Sequence, residues 1–266
     1  MNKTRIDWAD MTWSPVTGCL AGCEYCYARR IAERFQGYTM ASGKMLYEPL
    51  EGETGILDAP LEMFRENLSR WENAPYPYGF RPTFYRYRLD EPQKVKKPQN
   101  IFVCSMADLF GDWIPDEWIQ EVFKACEAAP QHRYLFLTKN PMRYQALYRR
   151  KAFPYKDNYW FGSTVTNPRQ RFTWFKDTPY HSFVSIEPIL EQFGTILLPS
   201  RDGIPEWFIV GAESGSRKGK VKPERKWIEE IVELAHDYGK PIFMKDSLAD
   251  IWGEPLIQQM PWEVTP

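Results

Sequence analysis

From residue 101 onward, short apolar runs alternate with amphipathic ones. "IFVCSMADLF" (101–110) leads into "IPDEWIQEVFKACEAA", where Trp118, Ile119, Val122, Phe123 and Cys126 recur at helical spacing and Pro115 suits a first helical turn. "RYLFLTKNP" (133–141) and "YWFGSTVTNP" (159–168) each pass from an apolar strand to an Asn-Pro pair. Asn140 and Asn167 are expected as N-caps, with Pro141 and Pro168 just inside the following helices. "SFVSIEP" (182–188), "EWFIVGAES" (206–214) and "KPIFMKD" (240–246) read as three more strands. Between the last two, "PERKWIEEIVELAHDYG" carries Trp227, Ile228, Ile231 and Leu234 at helical spacing and ends at Gly239, a C-terminal cap. With "ADMTW" (9–13) as the first, about seven strands are expected. Near-continuously apolar strands alternating with helices predict an α/β fold, a parallel sheet covered by helices and short of a closed eight-stranded barrel.

Polar residues gather where these strands end: Ser105 and Asp108, Thr138 and Lys139, Ser163 and Thr166, Glu187, Glu213 and Ser214, Lys245 and Asp246. Any one of them could simply terminate a strand or cap a helix. As a set they predict one shared site, because the C-terminal ends of parallel strands converge on one face. Residues 36–100 break the pattern. "PYPYGFRPTFYRYRLDEPQKVKKP" is rich in proline, aromatics and arginine, and "PLEMFRENLSRW" (60–71) reads as a helix. The segment is expected to be a lid or flap inserted after the first helix of a single domain spanning 1–266. Its interleaved Arg and Tyr either pack over the site or stack on bases.

Composition narrows the class. No apolar run approaches the roughly 18 residues of a membrane span, and "MNKTRIDWADMTW" lacks the apolar core of a signal peptide. A cytoplasmic protein without membrane contact is expected, in which clustered cysteines point to metal rather than disulfides. With 34 basic and 35 acidic residues the net charge is −1, so any nucleic-acid contact would have to be a local basic groove.

Three of the five cysteines fall in "GCLAGCEYCYARR" (18–30), as Cys19, Cys23 and Cys26, a C-x3-C-x2-C spacing. Four-iron clusters normally take four thiolates, so three would leave one iron open, as catalytic metal sites require. Gly18 and Gly22 would let the backbone wrap closely around a cluster. The alternative is a structural zinc closed by a fourth ligand. His132, His181 and His236 have no ligand-like spacing to the motif, whereas Cys104 could supply a thiolate in space. Cys104 and Cys126 otherwise read as small core hydrophobes. "GAESGSRKGK" (211–220) fails the phosphate-loop pattern at Ser214 and Val221 and reads as a flexible loop.

C-x3-C-x-aromatic-C, placed after a first strand and before a first helix, resembles the radical S-adenosylmethionine (SAM) enzymes. More closely, "TWSPVTGC", "RYRLDEPQKVKKPQNIFVCSMADLF", "LFLTKNP", "SIEPIL" and "IVGAESG" are similar, in that order, to a phage and mobile-element family regarded as radical-SAM-like. The resemblance implies a partial (β/α)6-type open TIM-like barrel with an extra C-terminal strand. It also implies a [4Fe–4S] cluster on Cys19, Cys23 and Cys26, SAM as cofactor, and a flavodoxin- or ferredoxin-like electron donor. Carried over by position, Tyr25 lies near adenine, and Ser105 to Asp108 occupy the place of a Gly-Gly-Glu segment that binds the SAM amino group, here without its glycines. Ser163 would serve the ribose, and Thr166 is a further cofactor-binding candidate. Lys139, Glu187, Glu213 and Lys245 are the expected catalytic or substrate-binding groups. The substrate stays open between nucleic acid and protein. A non-catalytic zinc- or cluster-binding interaction module is the alternative.

Overall fold

The computed structural model describes residues 1–36, 55–65, 69–170, 178–194, 204–215 and 217–263. In chain order the first half holds β1 (Asn2–Lys3), β2 (Met11–Trp13), β3 (Val16–Thr17), α1 (Tyr27–Phe35), β4 (Gly55–Leu57), β5 (Glu62–Arg65), β6 (Arg70–Asn73), β7 (Thr83–Tyr85) and α2 (Glu91–Lys94). The second half holds β8 (Asn100–Val103), α3 (Asp116–Glu127), β9 (Arg133–Thr138), α4 (Met142–Arg149), β10 (Tyr159–Thr164), β11 (His181–Ile186), β12 (Trp207–Val210), α5 (Arg225–Asp237), β13 (Ile242–Met244) and α6 (Ala249–Trp252).

The principal sheet has eight strands in the order β1-β2-β8-β9-β10-β11-β12-β13. Only β1 is antiparallel; the seven strands from β2 to β13 run parallel, each new one added to the same side. These are the strands the apolar runs predict. No ladder joins β13 back to β1 or β2 among the described residues, so the sheet is open.

Both faces are buried. Ile101, Val103, Tyr134, Phe136, Tyr159 and Phe161 pack with α3 and α4, and Val184, Ile186, Phe208, Val210, Ile242 and Met244 with α5 and α6. The alternate positions Phe102, Leu135, Trp160, Phe183, Trp207, Ile209 and Phe243 form a third cluster with Trp8, which no helix among the described residues covers. The chain's own ends fill that face instead. The Trp8 ring lies 4.7 Å from Phe102 on β8, 6.1 Å from Phe183 on β11 and 6.3 Å from Trp207 on β12. Trp262 packs 5.4 Å from Trp207 and 5.6 Å from Trp160, and the Trp207 Nε1 donates to the Gln259 carbonyl at 2.9 Å. At the far margin the Asp246 N–H, just past β13, donates to Asp7 Oδ2 at 2.9 Å. Segment 6–9 therefore touches both margins of the sheet.

Helix ends follow their residues with small shifts. Pro115 and Pro141 occupy the N-cap positions of α3 and α4, one residue before the expected first turn. Asn140 caps nothing; its Nδ2 donates to the Phe110 carbonyl and Asp112. Gly239 follows α5 at φ 60°, the left-handed C-terminal cap expected there. Where a helix is expected from Pro168, residues 168–170 form a turn, with the Arg169 N–H donating to Asn167 Oδ1 at 3.1 Å, and 171–177 lie outside the described residues.

The insertion holds two small sheets. β7 pairs antiparallel with β3 and parallel with β4, so it is stitched to the strand just ahead of the cysteines. "PLEMFRENLSRW" is not a helix: β5 and β6 pair antiparallel around Ser69, at φ 49°. Cross-strand pairing satisfies the backbone there and overrides helical propensity. The rest of the expected lid, 37–54 and 66–68, lies outside the described residues. No helix among the described residues is long and apolar enough to cross a membrane.

Candidate functional site

A cavity of about 190 Å³ opens at the C-terminal ends of the parallel strands. Cys19, Cys23 and Cys26 form part of its wall, all three half-buried and free. Their loop is wound by two glycines in left-handed conformation, Gly18 at φ 86° and Gly22 at φ 69°. At Gly18 a Cβ would lie 2.0 Å from the Arg81 carbonyl oxygen, so only glycine admits this approach of the insertion. The Gly18 N–H donates to Met106 and the Cys19 N–H to Phe80, tying the loop to the end of β8 and to the insertion.

Cys26 is the N-cap of α1, its Sγ accepting from the Arg29 N–H at 3.3 Å. Cys19 Sγ accepts from the Ala21 N–H at 3.5 Å. Burial, with Asp108 and the other two thiols nearby, pushes the Cys19 thiol up to about 11. Cys104 is elsewhere: it sits in the core beneath β2 and β8, and burial pushes its thiol up to about 12. Among the described residues no three Cys, His, Asp or Glu side chains converge on a point that would hold a single metal ion.

The strand ends supply the rest of the wall. Tyr25, Ser105, Asp108, Lys139, Glu187, Glu213 and Lys245 all line the cavity together with the cysteines. Their partners differ. Asp108 is buried but reaches the cavity; Oδ1 accepts from Thr138 Oγ1 at 2.6 Å and the Phe110 N–H at 3.1 Å, and Oδ2 from the Lys139 N–H at 2.8 Å. Burial raises its pKa while these bonds oppose the rise. A carboxylate has about four acceptor positions, so Asp108 chiefly locks the β8 loop to the end of β9 and keeps one position spare.

Lys245 donates to Glu187 Oε1 at 2.5 Å across β12, in space left by Gly211, where a Cβ would stand 3.1 Å from the lysine chain. Arg217 grips Glu213 with two 2.7 Å bonds, which lowers the Glu213 pKa, and lies 3.6 Å from Glu24 in the cysteine loop. Lys139 has no carboxylate within ion-pairing distance among the described residues; its Nζ lies 5.8 Å from the Tyr25 ring centroid. The Tyr27 hydroxyl donates to the Ser105 carbonyl at 2.8 Å.

Three expected residues, Ser163, Thr166 and Asp246, fall outside the cavity wall. Ser163 shares its side of β10 with Phe161 and Tyr159, which pack toward the helices, and its buried Oγ has no partner. Its neighbour Thr164 lines the cavity instead, because successive residues of a strand face opposite ways. Thr166 is buried behind the wall, bonded to Gln170 and within reach of the Tyr25 hydroxyl. Sequence reasoning also missed Trp8, Ser185 and Phe80 as lining residues. For Ser185 a signal existed, since it stands two before Glu187 and so shares its face.

No curated protein and no solved structure matches this chain. The model of the DUF5131 family, described as a protein of unknown function, matches residues 3–256. The cavity-forming strands and the cysteine loop all lie inside that match, and the chain belongs to the DUF5131 family.

Proposed function

We propose that this protein is a radical SAM enzyme on a partial (β/α)6-type barrel, with Cys19, Cys23 and Cys26 as ligands of a [4Fe–4S] cluster. The observation that carries the reading is the cavity itself, in which three free thiols face the polar ends of a singly wound parallel sheet. The barrel part rests on curvature. On a flat sheet β2 and β12 would lie five strand spacings apart, about 24 Å. Trp8, three residues before β2, nonetheless meets Trp207 on β12 at 6.3 Å.

The donor set fits a cluster better than a single ion. Zinc draws every sulfur to about 2.3 Å from one centre, whereas a cluster spreads its thiolates over separate irons. These thiols share a wall without converging on one point. Backbone N–H groups already aim at the sulfurs of Cys19 and Cys26.

The chemistry a bound cluster supplies is one-electron cleavage of SAM into methionine and a 5′-deoxyadenosyl radical, which takes a hydrogen atom from the substrate. The protein's part is to bind, orient and exclude water. Lys139, lacking an anionic partner, is placed to take a carboxylate or phosphate. The spare acceptor position of Asp108 suits an ammonium group. Glu187 and Lys245 pair with each other in the wall, where a polar ligand would meet both. An electron donor of flavodoxin or ferredoxin type would be the partner.

The test is anaerobic reconstitution, with iron, sulfide and zinc counted and 5′-deoxyadenosine assayed after SAM and reductant are added. The intact protein is expected to hold about four irons and to form 5′-deoxyadenosine. The triple Cys19→Ala, Cys23→Ala, Cys26→Ala variant is expected to do neither. One zinc per chain with no SAM cleavage would make the motif a structural clip and the protein an interaction module.

A further inference from the structure

Cys23 and Cys26 are related by a local turn: the Cys26 N–H donates to the Cys23 carbonyl at 3.2 Å, and α1 begins at the next residue. Among the described residues no hydrogen bond joins Cys19 to either of them. Gly22, in left-handed conformation, stands between, and both backbone polar groups of Cys19 are held from other elements. Its N–H donates to the Phe80 carbonyl of the insertion at 3.2 Å, and its carbonyl accepts from Arg29 Nη2 at 3.3 Å. Arg29 thus touches both ends of the motif, because its own backbone N–H donates to Cys26 Sγ at 3.3 Å. The guanidinium lies 5.0 Å from the centre of the Phe80 ring, which is 8 % exposed, lines the cavity and packs on Ala28 and Ala32 of α1. Glu33 is 4.0 Å away and half exposed, too loose an ion pair to hold the group.

We propose that the Arg29 side chain is a positioning residue: it sets Cys19 in register with the turn of Cys23 and Cys26, so that one loop presents three thiolates to the cluster. The purpose of that register rests on the proposed radical SAM function; the register itself is a property of the chain alone. A ligand set must be held to within about 0.5 Å, and groups one step removed from the metal do the holding. The loop cannot hold itself, since glycine at 22 leaves several conformations open. Arginine suits the place because the edge of its planar fork donates to a carbonyl while its face lies on an aromatic ring. Replacing the side chain leaves the backbone N–H bond to Cys26 in place and removes only the link to Cys19. The expected loosening is therefore confined to one cysteine of the three, which a general loss of stability would not produce.

The test uses the full chain purified in air, with thiols reduced and no cluster bound, and follows iodoacetamide labelling of each cysteine by peptide mass spectrometry. In Arg29→Met, labelling of Cys19 is expected to quicken about tenfold, with Cys23 and Cys26 within about twofold of wild type and buried Cys104 unlabelled. Arg29→Lys should recover part of the protection, since an ammonium donates to Cys19 or lies over Phe80 but does not span both. Arg30→Met, which removes the same charge one position along α1, should change nothing at Cys19. After anaerobic reconstitution, the Arg29→Met cluster should yield to a chelator at about 10–100-fold lower concentration, with Arg29→Lys in between. A wild-type rate at Cys19 in Arg29→Met would overturn the inference. So would equal quickening at all three cysteines, or labelling of Cys104, either of which makes Arg29 a general stabiliser of the fold. An equal effect of Arg30→Met would assign the role to charge and overturn it too. If the wild-type protein takes up no cluster, the radical SAM reading falls, while the labelling rates still decide what Arg29 does.

Discussion

Gly18 and Gly22 offer a matched pair for testing what holds the cysteine loop. Both have positive φ, 86° and 69°, so alanine at either carries the left-handed penalty of about 1–2 kcal/mol. They differ in what a Cβ would meet. At Gly22 nothing lies within 4 Å, whereas at Gly18 the new atom would fall 2.0 Å from the Arg81 oxygen, 2.2 Å from its carbon and 2.6 Å from the Pro82 nitrogen. Those are backbone atoms and cannot swing away as a side chain would. The loop and the insertion must separate by roughly 1 Å, which threatens the 2.9 Å bond from Gly18 to Met106 and the 3.2 Å bond from Cys19 to Phe80. At about 1 kcal/mol each these bring the cost of Gly18→Ala to about 4 kcal/mol, against about 1–2 kcal/mol for Gly22→Ala. For a chain of this size the melting temperature should fall by roughly 8–16 °C in the first variant and by a few degrees in the second. Calorimetry and urea unfolding of both measure the difference. Equal destabilisation, or a larger loss at Gly22, would refute the claim that the insertion's backbone braces the cysteine loop.

Asp108→Ala removes the acceptor of three donors, Thr138 Oγ1 and the Phe110 and Lys139 N–H groups, two of which brace the end of β9. A loss of about 3 kcal/mol is expected by urea unfolding, and a loss under 1 kcal/mol would remove Asp108 from its structural role. At the opposite end of the sheet, Glu206 accepts from His181 Nδ1 at 2.8 Å and raises the histidine pKa above its ordinary 6.5. A raised folded pKa means the pair stabilises fully below 6.5 and loses its contribution as pH climbs through the folded value. Both groups are about one-third exposed, so the effect is at most about 0.5 kcal/mol. An NMR titration should show the His181 pKa falling in Glu206→Gln, and no change would break the assignment.

The parallel sheet was legible because apolar runs of strand length alternate with helical periodicity, and that pattern has few architectural solutions. Most of the candidate site was legible for the same reason. Once the strands are parallel, Ser105, Lys139, Glu187, Glu213 and Lys245 must share one face, and the structure puts them on one cavity with the cysteines. What failed was parity within a strand. All six residues of β10 are buried, so hydrophobic alternation says nothing about which of Ser163 and Thr164 faces inward. Only the packing of Phe161 against the helices decides it. "PLEMFRENLSRW" failed differently: its local preference is helical, but pairing between β5 and β6 satisfies the backbone through a partner strand.

By itself the sequence determined the seven parallel strands, the common face of their ends and the three-cysteine loop, all of which follow from local periodicity and spacing. Tertiary structure alone decided that Trp8 and the C-terminal segment fill the helix-free face, that Arg81 presses on Gly18, and that Asp108 serves as a brace. Those are contacts between residues tens to hundreds of positions apart, set by how the sheet bends and packs rather than by any local pattern.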